Sequence, residues 1–237
     1  GTRRQTEGID LPKVMRLAAG KPLLHYVLKG LDFLPPEDVI LVVGWKKEAV
    51  LSAFSRYPHV VQEQLNGTGG AVQYAAPLLE GFSGHLIVCC GDTPLMRRET
   101  FQALADTHLR EGNACTLLSA RLEEGGNYGR VLREADGSFR CIVEARDCTP
   151  EQAAVTEVNT GTYVFHAPSL LEVLDQLRAD NAQAELYLTD VPALIKARGG
   201  RVGLCDTCSP EEMMGVNTVE QLAQVEAVLE KRAGEEP

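Results

Sequence analysis

The chain has 237 residues, 44% of them hydrophobic and 24% charged, with Lys+Arg 23 against Asp+Glu 33 and a formal net charge of -10. Such a length buries a substantial core and fits one α/β domain, while the acidic balance disfavours a nucleic-acid surface and directs attention to a small-molecule partner. No apolar run approaches the roughly 20 residues that a membrane helix needs, and the chain opens on charged and polar residues rather than on a secretory signal, so a soluble, cytoplasmic protein is expected.

The chain begins at Gly1 Thr2 Arg3 Arg4, with no Met and no strand before it, which for a doubly wound fold suggests that a first strand lies upstream. After Leu11 Pro12 Lys13 and a turn at Gly20 Lys21 Pro22, the apolar period over 23–31 predicts a helix with Pro22 in its first turn. The run Val39 Ile40 Leu41 Val42 Val43 ends in Gly44 and reads as a strand; a helical pattern over 48–54 and a short strand from Val60 then complete a βαβ unit. Gln62 Glu63 Gln64 Leu65 Asn66 Gly67 Thr68 Gly69 Gly70 leads into a helix predicted over 71–79. Glycines at a helix start let backbone N–H groups approach an anion or a base edge, although the same residues also make an ordinary loop.

The stretch Leu86 Ile87 Val88 Cys89 Cys90 Gly91 Asp92 Thr93 Pro94 Leu95 reads as a strand buried on both faces of a parallel sheet. Ligands of open α/β sheets sit beyond the carboxyl ends of strands, so Asp92 is placed either to hold a magnesium ion on a phosphate or to cap the following helix or turn. A helix is predicted over 99–109 and a strand over 114–120. From Gly125 the pattern alternates as in an antiparallel hairpin, with arms at 128–133 and 139–144 and a turn at Asp136 Gly137. It opens a candidate second lobe over roughly 121–190, inserted in a single domain of 1–237. A strand over 157–165, helices over 169–177 and 191–196, a last strand over 201–205, a loop at Gly215 Val216 Asn217 and an amphipathic helix over 220–231 follow. The seven cysteines are scattered through apolar runs and read as reduced thiols; Cys205 and Cys208 form a CxxC with no second pair at zinc spacing.

Taken in order, Gly1 Thr2 Arg3, Leu11 Pro12 Lys13, Gly67 Thr68 Gly69, Gly91 Asp92 Thr93 Pro94, Tyr128 Gly129 Arg130, Ile142 Val143 Glu144, Val158 Asn159 Thr160 Gly161 and Gly215 Val216 Asn217 resemble the sugar-nucleotide pyrophosphorylases over essentially the whole chain. Within that family the match is to uridylyltransferase domains that act on N-acetylglucosamine 1-phosphate. The resemblance implies a Rossmann-like, GT-A-like α/β fold: a mixed sheet flanked by helices, with a small antiparallel sugar-binding lobe. It further implies that a sugar 1-phosphate oxygen attacks the α-phosphorus of UTP and releases pyrophosphate with the help of Mg2+.

By that resemblance Arg3 and Lys13 are the catalytic cations and Asp92 and Asn217 the metal ligands. Gly1, Thr2, Gln62, Gly67, Thr68 and Gly91 hold the nucleotide, and Gly129, Glu144, Asn159, Tyr187 and Thr189 hold the sugar. The residue types suit these tasks, since Arg and Lys neutralise phosphate and magnesium takes few hard protein oxygens. Asn66 is an extra residue where the family runs Leu-Gly-Thr-Gly, which leaves Gln62 and Gln64 as alternatives for the base. The hexapeptide repeats of bifunctional relatives do not follow the last helix, so only uridylyl transfer is expected, and no oligomer is implied. Another sugar phosphate or nucleotide, or a non-catalytic nucleotide-sugar-binding module, are the competing readings.

Overall fold

A computed structural model describes residues 11–235, in two compact units: of these, residues 11–63, 90–101 and 211–235 form the first, and 64–89 with 102–210 the second. In the first, β1 (Leu17–Ala18) and β2 (Lys21–Pro22) make a small antiparallel ladder ahead of α1 (Leu23–Gly30). Pro22 therefore sits at the helix N-cap, with ψ 146°, rather than in its first turn, because it is already committed to the ladder. β3 (Leu41–Val43) and β4 (His59–Val61) pair in parallel around α2 (Lys47–Ala53), so the expected βαβ unit is present. Leu24 and Leu28 of α1 close over Leu41, Val43, Val50 and Tyr57.

In the second unit α3 (Thr68–Ala75) begins three residues ahead of the helix expected from the alanine-rich run, and residues 76–79 continue as a 3-10 turn. β5 (His85–Val88) does not join a parallel sheet: it runs antiparallel to a later strand, pairing His85 with His166 and Val88 with Tyr163. The apolar run marks the strand correctly, but β5 is only half-buried, with His85 exposed, instead of buried on both faces, and the run carries no information on its partner's direction. α4 (Arg98–Glu111) follows, its first turn in the first unit. β6 (Cys115–Arg121), the hairpin of β7 (Arg130–Arg133) and β8 (Phe139–Val143), and β9 (Glu157–His166) assemble with β10 (Val202–Cys205) in the order β10-β6-β9-β7-β8, with β5 also on β9. Only β10 and β6 are parallel in this mixed sheet. α6 (Ala167–Leu174) and α7 (Val191–Ala197) supply Leu170, Val173, Val191 and Ile195 to a core shared with Leu117, Phe139, Tyr163 and Phe165. Ahead of both in sequence, between β8 and β9, α5 (Pro150–Ala153) is a single turn closed by a Thr149–Gln152 capping box. The final helix, α8 (Val219–Glu235), belongs to the first unit, where Val225 packs with Ala18, Leu23, Leu95 and Val216.

All seven cysteines are free thiols. Inside the second unit His108, fully buried, hydrogen-bonds through Nε2 to Nδ1 of His85 at 2.9 Å and through Nδ1 to Thr116 Oγ1 at 3.0 Å. Burial, reinforced by His85 and His166, lowers its pKa to about 4. Nearby, buried Glu157 accepts from both Nε and Nη2 of Arg133 at 2.7 Å and from Ser119 Oγ at 2.8 Å. Burial alone would raise its pKa, but those bonds and the charges of Arg133 and Arg121 prevail and lower it.

Candidate active site

The first unit brings together three residues that lie far apart in sequence. Lys13 stands in a 3-10 turn just after Pro12, Asp92 in the turn after Gly91, and Asn217 in the loop ahead of α8. The loop is docked by Val216, fully buried beside Leu95, and by its amide, which donates to the Asp92 carbonyl at 3.2 Å. Lys13 Nζ donates to Asn217 Oδ1 at 2.7 Å and forms an ion pair with Asp92 Oδ2. Two hard oxygens thus converge on one cationic centre, a donor set that fits magnesium with its remaining positions left to water and phosphate. Among the described residues no group of three or more His, Cys, Asp or Glu is placed to hold a metal ion. Gly91 lies close under this site: a Cβ there would meet Val14 Cγ1 at 3.2 Å and Leu24 Cδ1 at 3.4 Å. Gln62 is buried in the same unit, its backbone N–H donating to the Val43 carbonyl at 2.7 Å. Gly1, Thr2 and Arg3 lie outside the described residues.

In the second unit Gly67 adopts φ 109°, and a Cβ at that position would come within 2.5 Å of the Leu186 carbonyl oxygen. The close approach is enforced by three bonds. Leu186 N donates to Asn66 O at 2.7 Å, Gly69 N to Leu186 O at 2.8 Å, and Leu188 N to Thr68 Oγ1 at 3.1 Å. The extra Asn66 is therefore part of the docking, and the backbone N–H of Gln64 donates to Tyr74 Oη at 3.2 Å.

A second cluster in this unit gathers the expected sugar residues. Thr189 Oγ1 donates to Glu144 Oε1 at 3.0 Å, and a Cβ on Gly129 would stand 3.6 Å from the Glu144 carboxyl. Asn159 N donates to the Gly129 carbonyl at 2.8 Å, while its side chain donates to Tyr163 Oη at 2.7 Å and accepts from Gly161 N. Burial raises the Glu144 pKa; the Thr189 hydroxyl opposes this, and Asp147, Asp190 and Glu185 add to it. Tyr187, buried, accepts from Gln183 Nε2 at 3.0 Å and donates to Asp147 Oδ2 at 3.3 Å, and burial again raises its pKa.

Sequence reasoning missed Arg130 and Asp147. Arg130, nearly fully buried, donates to the carbonyls of Tyr128, Gly126 and Ala153, and so shapes the turn that presents Gly129. The nearest available signal was Thr149-x-x-Gln152, whose capping box fixes the end of the segment that carries Asp147. Among the described residues no helix is long and apolar enough to cross a membrane.

Comparison with known proteins identifies the family and the fold. The chain is 42% identical over 235 residues to the bifunctional protein GlmU of Synechococcus sp. (strain CC9605), covering 98% of this chain and 51% of the relative. It is 40% identical over 233 residues to that of Streptococcus equi subsp. zooepidemicus, covering 98% and 50%. The chain thus spans about half the length of the curated relatives it matches. Among solved structures, a UDP-glucose pyrophosphorylase complexed with UDP-glucose superposes with TM-score 0.72 at 17% identity, covering 94% of this chain and 91% of that one. HddC from Yersinia pseudotuberculosis gives 0.68 at 17%, covering 97% and 95%, so the fold is shared with both. The profile of the MobA-like NTP transferase domain matches residues 2–193, and the chain belongs to that family.

Proposed function

We propose that the chain transfers a uridylyl group from UTP to N-acetylglucosamine 1-phosphate, forming UDP-N-acetylglucosamine and pyrophosphate. The observation that carries this reading is the convergence of Lys13 with the Asp92 and Asn217 oxygens in one unit. A phosphate oxygen of the sugar 1-phosphate attacks the α-phosphorus, the new P–O bond forms in line, and the bond from the α-phosphorus to the oxygen bridging to the β-phosphorus breaks. That bridging oxygen leaves with pyrophosphate. Little covalent chemistry is asked of the protein, so positioning and charge neutralisation supply the rate. Lys13, with Arg3, neutralises the α-phosphate as charge moves onto the leaving group. Asp92 and Asn217 would hold Mg2+, which when bound draws charge from the phosphate oxygens and makes the α-phosphorus more electrophilic.

On the nucleotide side the reading uses Gly1, Thr2, Gln62, Gly67, Thr68 and Gly91. Gln62 is taken for the base edge, with Gln64 as the alternative. On the sugar side Glu144 accepts from sugar hydroxyls, Asn159, Tyr187 and Thr189 face the sugar and its acetamido group, and Gly129 leaves room beside Glu144. The chain acts as one nucleotidyltransferase domain in the cytoplasm, with the sugar lobe at 121–190. Support for the substrate pair comes from two relatives named GlmU, at 42% and 40% identity along nearly all of this chain.

The test is pyrophosphate release by the full-length protein with UTP and Mg2+, comparing N-acetylglucosamine 1-phosphate with glucose 1-phosphate. A site that hydrogen-bonds the acetamido group should reject the sugar lacking it by a factor on the order of 10³ or more. Equal turnover of the two sugars would refute the sugar assignment, and no turnover with any sugar phosphate would refute the activity.

A further inference from the structure

The carboxylate of Asp147 does more than solvate the turn that follows β8. Its own amide donates to the Glu144 carbonyl at 2.9 Å, which places it one turn beyond the Glu144 carboxylate. From there Oδ1 accepts from Ala182 N at 3.0 Å and Oδ2 accepts from Tyr187 Oη at 3.3 Å. Both partners belong to the segment 181–188, which is closed on itself. Asn181 Oδ1 accepts from Gln183 N and Glu185 N, Asn181 Nδ2 donates to Glu185 O at 2.7 Å, and Ala184 takes a left-handed φ of 52°. The chain leaves this strap at Tyr187 and two residues later delivers the Thr189 hydroxyl to Glu144. Asp147 and Glu144, three positions apart, therefore grip the strap at its start, at Tyr187 and at Thr189.

Placing a second carboxylate here has an electrostatic cost, because Asp147 faces Glu144 and Asp190 and raises the pKa of both. A neutral acceptor would tie the strap without that repulsion, so the charged form is not explained by loop closure alone.

We propose that Asp147 is a positioning residue for sugar recognition, acting through Tyr187 and the strap to hold the Thr189–Glu144 pair in register with the sugar. The proposal rests on the sugar-side reading above. Its test measures KM for N-acetylglucosamine 1-phosphate and for UTP in Asp147→Ala, Asp147→Asn and Glu144→Ala, with thermal melts as a folding check. Asp147→Ala should raise KM for the sugar phosphate about tenfold, the scale of losing hydrogen bonds to a charged acceptor, with kcat and KM for UTP within about twofold. Asp147→Asn keeps one oxygen for Ala182 and an amide for Tyr187, so it should recover most of that loss.

The charge leaves a separate signature. In Asp147→Asn, Glu144 faces only Asp190 and Glu185, so the acid limb of the sugar-phosphate KM profile should move to lower pH. Loss of the loop's packing alone would not move it. An unchanged sugar-phosphate KM in Asp147→Ala while Glu144→Ala raises it would overturn the proposal and leave the sugar reading standing. An equal rise of both KM values, or no recovery in Asp147→Asn, would overturn it as well. An unchanged KM in Glu144→Ala would remove the sugar reading and the proposal together.

Discussion

Replacing His108 with glutamine should flatten the acid dependence of stability in the second unit. His108 is fully buried, and its folded pKa of about 4 lies below the ordinary 6.5 because burial, His85 and His166 all disfavour the imidazolium. The folded state therefore binds fewer protons than the unfolded chain between those two values. The stability this neutral histidine permits is complete above pH 6.5 and is lost as pH falls from 6.5 towards 4. A separation of about 2.5 units corresponds to about 3 kcal/mol in full, of which about 2 kcal/mol is already gone at pH 5. Glutamine keeps a polar end for Thr116 and His85 but does not titrate. Urea unfolding at pH 7.5 and pH 5.0, followed by circular dichroism and by amide exchange in β6 and β9, gives the two stabilities. Carboxylates contribute equally to both proteins, so the double difference isolates the histidine. Glutamine should lower stability at pH 7.5 by about 1 kcal/mol, yet lose about 2 kcal/mol less than the parent on going to pH 5. A variant with the parent's full pH slope would show that His108 is already charged in the fold, or that its site opens at little cost, and the reasoning would fail.

Asp92→Asn should abolish metal-dependent pyrophosphate release, by about 10²-fold or more, while the melting temperature stays close to the parent's; near-parental turnover would refute the metal role. Gly67→Ala forces a Cβ to within 2.5 Å of the Leu186 carbonyl at φ 109°, and should cost about 1–3 kcal/mol, read as a raised KM for UTP. An unaltered KM and melt would show that the loop does not need this backbone. Arg133→Ala strips Glu157 of its paired donors and should destabilise the second unit by about 2–3 kcal/mol, below the 3–5 of a deeply buried pair, because Arg133 is 32% exposed and Arg121 remains 3.7 Å away. With the Glu157 pKa lowered in the parent, that contribution is present above the ordinary carboxylate value and fades as pH falls through the folded one. The gap between the urea midpoints of variant and parent should therefore narrow as pH is taken from 7 to below the ordinary carboxylate range.

The elements announced by local pattern were legible in the sequence. Val39 to Val43, the helix after it and Val60 produced a parallel pair with its crossover, and the alternation around Asp136 Gly137 produced the β7–β8 hairpin. What local pattern could not carry was partnership. An apolar run such as Leu86 to Val88 suits a strand of either direction, and only β9, some 75 residues later, makes it antiparallel and leaves it half-buried. The start of α3 at Thr68 was hidden because Gly69 and Gly70 are poor helix formers, and their place there depends on the distant Leu186. The same holds for the candidate site. Lys13 is separated from Asp92 by 79 positions and from Asn217 by 204, so their convergence was readable only through the ordered resemblance. Asp147 escaped notice because an exposed acid in a loop looks like any solvated side chain until Ala182 and Tyr187 are seen to lean on it.

The bonds that pin Asn66, Thr68 and Gly69 to Leu186 and Leu188 also set a schedule for folding. They close a loop of about 120 residues for very little local gain, so the entropy of closure is recovered only after β6, β9 and α6 have brought the two segments near each other. The Gly67 turn is thus among the last parts of its unit to order and, under mild denaturation, among the first to loosen. Amide exchange at Gly69 should outpace exchange in β9 at every denaturant concentration, and nucleotide affinity should be lost before the helical signal falls. Activity then reports the completion of the fold rather than its beginning.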